Sequence, residues 1–289
     1  MRDHAPTSAL YSLSRGVDLA GARVLIAEDN LVNMEVAKFH LEDLGCIFEG
    51  AANGADAVSL YAAQPFDYVL MDCQMPVMDG YEALKRIRAL EAERGLSGAR
   101  IIAVTAADDM DARRACENAG FGGFLTKPYS AEQLRSTMQS GGEQDHAGRP
   151  AGCIGVADAA GGTGVSPVLE PTTFAAFIDD FGSDVAVSLV ESFVKLLEDG
   201  TSRYAILAKQ RDAIAANALA HKLAGAAGTL GAVALAELAR QIDRAGKKGN
   251  KAWTPDIERL GAAIDEARQE LAHLTTPHDL RLYRNRYCA

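Results

Sequence analysis

The chain has 289 residues, which suits two ordinary domains better than a single compact one. Its balance of 48% apolar and 24% charged residues is that of a globular protein with a buried core. A formal net charge of -10 argues against nucleic acid as a partner, because phosphate-binding domains are usually basic. No apolar run approaches the roughly 20 residues of a membrane span. Residues 1–20 also lack the basic start and apolar middle of a signal peptide, so the expectation is a cytoplasmic protein without membrane insertion. Five cysteines (Cys46, Cys73, Cys116, Cys153 and Cys288) are scattered without a CxxC pair, which suggests neither a disulfide framework nor a zinc site.

Residues 1–21 are polar and without a clear period and are read as a loose leader. From Val24 onward, short apolar runs alternate with helical patterns. Strands are expected at 24–27, 46–51, 68–71, 101–104 and 123–126, each followed by a helix. The first helix has apolar residues at Leu31, Val32, Val36, Phe39 and Leu44 and closes at Gly45; the last opens with Ser130 and Gln133 as a capping box. Five such alternations predict an α/β fold, a doubly wound five-stranded parallel sheet.

Four of the strands end on polar residues: Glu28-Asp29, Asp72, Thr105 and Lys127. The carboxyl ends of parallel strands share one edge of the sheet, so these groups can converge. Carboxylates held a few ångströms apart repel, and such a cluster persists when it shares a proton or binds a cation. All-oxygen ligands favour Mg²⁺, while Lys127 offers a positive charge and Thr105 a hydroxyl for an oxyanion. Together they read as a phosphoryl-transfer site with Asp72 as the nucleophile.

At VLIAEDN, DYVLMDCQMPVMDG, IIAVTA and GFLTKP the sequence closely resembles the receiver domain of two-component response regulators, over about residues 22–139. The resemblance implies a flavodoxin-like fold with Asp72 as phosphoacceptor. It further implies Mg²⁺ held by Glu28, Asp29, Asp72 and the backbone carbonyl of Gln74, with Thr105 and Lys127 on the phosphoryl group. Phe124 falls at the aromatic switch position that follows Thr105, and the Lys127-Pro128 bond is expected to be cis. EDNLVNMEV is particularly similar to receivers of hybrid sensor kinases. Cys73, next to the acceptor, reads as a small buried residue, and Arg86 and Arg88 as a solvated helix face.

Residues 140–168 are rich in glycine and are read as a flexible linker, with a reach of roughly 30 Å. Beyond it the strand signals stop. Amphipathic segments at 171–181, 184–209, 212–230, 232–245 and 255–273 predict an all-α antiparallel bundle over 169–274, followed by a short, mildly basic tail at 275–289. On the third of these helices Leu219, Leu223, Ala226 and Leu230 form one stripe at 100° per residue, which turns His221 outward beside Ala224, Gly225 and Gly228. Mid-helix glycine costs about 1 kcal/mol, so its presence beside an exposed imidazole suggests that something approaches the ring closely.

AHKLAGAAGTLGAVALAELARQID looks like the signature of histidine phosphotransfer (HPt) domains, matched here by His221, Leu223, Gly225 and Gly231. The resemblance implies that His221 carries a phosphoryl group and exchanges it with a receiver aspartate. The lysine usual three residues after the histidine is Ala224 here, which leaves Lys222 as a possible substitute. The combination implies a phosphorelay, with a sensor histidine kinase upstream and a response-regulator receiver downstream. A phosphorylation-dependent binding switch with separately addressed domains is the alternative. A phosphatase is disfavoured because position 74 is Gln rather than a second Asp, and no ATP-binding glycine motif is found.

Overall fold

The computed structural model describes residues 18–95, 98–105, 110–140, 168–210, 212–247 and 254–287. Ten elements build the first half: β1 (Arg23–Ala27), α1 (Leu31–Asp43), β2 (Ile47–Ala51), α2 (Gly54–Ala63), β3 (Tyr68–Asp72), α3 (Gly80–Arg94), β4 (Arg100–Thr105), α4 (Met110–Ala119), β5 (Gly123–Thr126) and α5 (Ala131–Gln139). The strands form one parallel sheet in the order β2-β1-β3-β4-β5. Alternate strand residues feed two cores. Val24, Ile26, Leu70 and Ile102 pack with Leu41, Leu134 and Met138 on one face. Leu25, Val69, Met71 and Ile101 pack with Ala57, Leu84 and Ile87 on the other.

Polar side chains fix the helix starts nearest the sheet's carboxyl edge. The Asn30 side chain accepts from the Val32 N–H, and the Asp79 side chain from that of Glu82. The Ser130–Gln133 capping box is present. Gly80 lies so close to β3 that a Cβ there would stand 2.3 Å from the Asp72 carbonyl oxygen, so no larger residue fits without moving the acceptor strand. The leader is packed from at least Leu19, whose side chain is 4% exposed in the first core. The linker reading falls on 141–167, outside the described residues.

The second half is helical: α6 (Pro171–Gln210), α7 (Ala213–Thr229), α8 (Val233–Lys247), α9 (Thr254–Leu271) and α10 (Pro277–Tyr287). Gly182, at φ 73°, interrupts α6 where the sequence separates two amphipathic segments. Phe174, Phe193, Leu223, Leu230, Ile264 and Leu271 fill the core. The tail contributes to it, because α10 buries Leu280 and Tyr283 against the bundle. The Tyr283 hydroxyl lies 3.3 Å from the Leu169 carbonyl and 3.2 Å from the Glu270 carboxylate.

Helix α1 joins the two halves. Met34, Ala37 and Leu41 face the sheet core, whereas Val32 and Val36 belong to the core of the bundle with Phe39 packed against it. The Phe39 ring lies 4.8 Å from Phe181 of α6, and His40 lies 5.3 Å from the same ring. Burial lowers the pKa of His40, whose Nε2 sits 3.2 Å from the Tyr129 carbonyl.

Candidate functional site

The carboxyl ends of β1, β3 and β5 bring Glu28, Asp29, Asp72 and Lys127 together. Oxygens of the three carboxylates lie within 4.8 Å of one another. The Lys127 ammonium donates to Glu28 at 2.5 Å and to Asp72 at 2.6 Å, all three side chains being buried. Burial opposes the ammonium charge, but the carboxylates of Asp72 and Glu28 outweigh it and hold the Lys127 pKa above its ordinary value. Burial, aided by the charges of Asp72 and Asp29 and opposed by Lys127, pushes Glu28 up to about 7. The Gln74 N–H donates to Asp72 Oδ1 at 2.9 Å.

Thr105 is buried at the end of β4, and its carbonyl accepts from the Lys127 N–H at 2.8 Å. Phe124 is half-buried beside Cys73, Ala103 and Cys116, with the Arg113 guanidinium 5.4 Å from its ring centre. The Lys127-Pro128 peptide is cis. Cys73 is buried, its sulfur 3.7 Å from that of Cys116. Arg86 pairs with Glu82 on the surface, whereas Arg88 reaches Glu91 at 2.7 Å and the Ala99 carbonyl at 2.9 Å, so it ties a helix to a loop.

The cleft over Asp72 is completed by α7. Its lining combines Glu28, Asp29, Asn30, Asn33, Asp72 and Lys127 with His221, Lys222 and Gly225. The stripe of Leu219, Leu223, Ala226 and Leu230 is buried, and Ala224 with it. The imidazole turned outward by that stripe is not bare: the His221 side chain is 11% exposed, between the first domain and α8. Its Nδ1 lies 3.3 Å from Oδ2 of buried Asp243, whose Oδ1 accepts from Asn217. A carboxylate accepts, so Nδ1 donates, and in the neutral ring this leaves the lone pair on Nε2. Lys222 reaches across to Asp29 Oδ2 at 2.7 Å, and its carbonyl accepts from the Asn30 side chain at 2.9 Å. A Cβ on Gly225 would stand 2.9 Å from Asn33 Nδ2, and one on Gly228 would stand 3.7 Å from Pro128. Gly225 is therefore the position whose lack of a side chain lets the first domain close on α7, whereas a Cβ on Gly228 would meet Pro128 only at ordinary contact distance and Arg240 of its own bundle at 3.1 Å.

Sequence reading missed Asn30, Asn33 and Asp243. Asn30 and Asn33 follow the acidic pair in EDNLVN and could have been read as its continuation. Asp243 stands one helix away, and only the packing of α7 on α8 brings it to the ring.

The parallel sheet with three carboxylates and a lysine at one edge, faced by a histidine on a helical bundle, defines a receiver paired with a phosphotransfer bundle. Two family models match accordingly: the response regulator receiver domain over residues 24–139 and the Hpt domain over residues 188–270. The sensor protein GacS of Pseudomonas syringae pv. syringae is 38% identical over 134 residues, covering 46% of this chain and 15% of the relative. The virulence sensor protein BvgS of Bordetella pertussis is 29% identical over 270 residues, covering 89% of this chain and 21% of the relative. A solved receiver domain of the sensor histidine kinase PA1611 from Pseudomonas aeruginosa PAO1, with a magnesium ion in its active-site cleft, is 38% identical at a TM-score of 0.38. It covers 43% of this chain, which covers 100% of it. The chain carries a receiver domain followed by an Hpt domain, the architecture of phosphorelay signalling. It spans only 15% and 21% of those two sensor proteins. Among the described residues no helix is long and apolar enough to cross a membrane.

Proposed function

We propose that the chain is a two-station phosphorelay element in which Asp72 receives a phosphoryl group from the phosphohistidine of an upstream sensor kinase and exchanges it with His221 of the same chain. His221 would then serve a downstream receiver, with the whole exchange taking place in the cytoplasm. The observation that carries the reading is the shared cleft lined by both Asp72 and His221.

The donor set suits a divalent cation: three carboxylates within 4.8 Å of one another, all oxygen, as Mg²⁺ prefers. Glu28, Asp29 and Asp72 would hold it, with the Gln74 carbonyl as a further oxygen. Bound there, Mg²⁺ supplies positive charge to the oxygens of the transferred group. In the transfer the P–O bond to Asp72 breaks, its electron pair returning to the carboxylate, while the Nε2 lone pair of His221 forms the P–N bond. The proton stays on Nδ1 of the ring, and the Asp243 carboxylate that accepts from it stabilises the positive ring that results. Lys127, held between Asp72 and Glu28, offsets charge on the acceptor side. Thr105 would contact the phosphoryl group, with Phe124 responding to its movement. Gly225 admits the receiver, and Lys222 neutralises Asp29 from the bundle side rather than standing over its own histidine.

Loading with acetyl phosphate and Mg²⁺, followed by separation of acid-labile phosphohistidine from aspartyl phosphate, tests the reading. Label on His221 should vanish in both Asp72→Asn and His221→Gln. Label on Asp72 alone in the unaltered chain would favour the switch reading.

A further inference from the structure

The edge of the sheet through which Asp72 can be reached is covered by the chain's own bundle. Asp72 is 1% exposed, and His221, Lys222 and Gly225 close the cleft above it. On the flank, Val32 and Val36 are 1% and 6% exposed within the bundle core, and the Phe39 ring meets Phe181 at a tilt of 51°. Among the described residues, packed cores cover the two faces of the sheet around β3. A phosphohistidine arriving from another domain must place its ring over the same carboxylate, and two bundles cannot occupy one edge.

We infer that the HPt bundle gates its own receiver: the docked state exchanges phosphoryl between Asp72 and His221 and excludes an outside phosphohistidine donor, so loading requires the bundle to lift off α1. The inference rests on the relay reading above. The contacts that hold the gate are identifiable. Lys222 pairs with Asp29 at 2.7 Å while its side chain remains 30% exposed, so it can be changed without disturbing the bundle core. Phe181 supplies the apolar contact to Phe39 and His40. A donor that binds only the open state meets an apparent affinity reduced by the open fraction, so opening the gate accelerates loading from outside.

The test uses full chains. The donor is the Asp72→Asn chain, phosphorylated chemically on His221 by phosphoramidate, with ammonia as leaving group. The acceptors are His221→Gln and His221→Gln/Lys222→Glu, the second of which sets a glutamate against Asp29 while leaving the receiver surface intact. Small-angle scattering should find the second acceptor more extended, and Asp72 in it should gain label at least fivefold faster. Phe181→Asp in place of Lys222→Glu breaks the apolar contact and should act in the same direction. An acceptor that opens yet gains label no faster overturns the gate, as does unchanged scattering in both variants. If acetyl phosphate also fails to label Asp72 in every chain, the relay reading itself has failed, and the scattering result separates that outcome from a failure of docking.

Discussion

Gly225→Ala places opposed demands on one residue. Within α7 the change should stabilise the bundle by up to about 1 kcal/mol, the difference between glycine and alanine in a helix interior. At the interface the new Cβ would stand 2.9 Å from Asn33 Nδ2, closer than van der Waals contact allows. Asn33 is buried and donates to Glu28 Oε1 at 3.3 Å, so yielding to the methyl group costs it that hydrogen bond. A loss of about 1–2 kcal/mol, typical for one hydrogen bond or a modest overpacking, corresponds to about a 5- to 30-fold slower transfer. The expected result is a bundle that melts higher and a chain that transfers more slowly. Calorimetry and quenched single-turnover transfer from Asp72 to His221 check the two halves. A higher melting temperature with an unchanged transfer rate would refute the argument that Gly225 exists for close approach.

Other expectations follow from single contacts. Asp243→Asn leaves only a neutral amide oxygen to accept from His221 Nδ1 in place of the carboxylate at 3.3 Å, and should slow phosphohistidine formation about 5- to 10-fold, the difference between a charged and a neutral acceptor, while leaving loading of Asp72 intact. Glu28, at about 7 rather than 4.5, binds more protons folded than unfolded in that interval, so metal-free stability should fall as pH rises from 4.5 to 7, by at most about 3 kcal/mol. By the same proton competition, Mg²⁺ binding followed by intrinsic fluorescence or calorimetry should be about tenfold weaker at pH 6 than at pH 8. Tyr283→Ala empties a site shared by Phe174, Leu169 and Glu270, and should destabilise the bundle by about 3 kcal/mol without affecting the receiver sheet.

The receiver was legible because its signals are local and redundant. Each strand is a short apolar run, and four end on the polar residues that parallel pairing must bring to one edge. What escaped was long-range. Helix α1 carries apolar residues on two sides, and its sequence alone does not tell which side meets the sheet: Leu31, counted into the apolar stripe, is 74% exposed, whereas Met34 and Ala37, left out of it, are buried. His221 was placed correctly on its helix face, but the glycine-rich outer surface only hinted that something would cover it. Whether the tail docks was left open by the sequence, because PHDLRLYRNRY is polar overall, with Leu280 and Tyr283 the two positions buried against the bundle.

The measurement that bears most directly on the account is the concentration dependence of label migration from Asp72 to His221 in the unaltered chain. Because both groups line one cleft of one chain, the migration should be first-order, with a rate that does not change as the protein is diluted a hundredfold. A rate that falls in proportion to concentration would mean that the two stations meet only between molecules, and would contradict it.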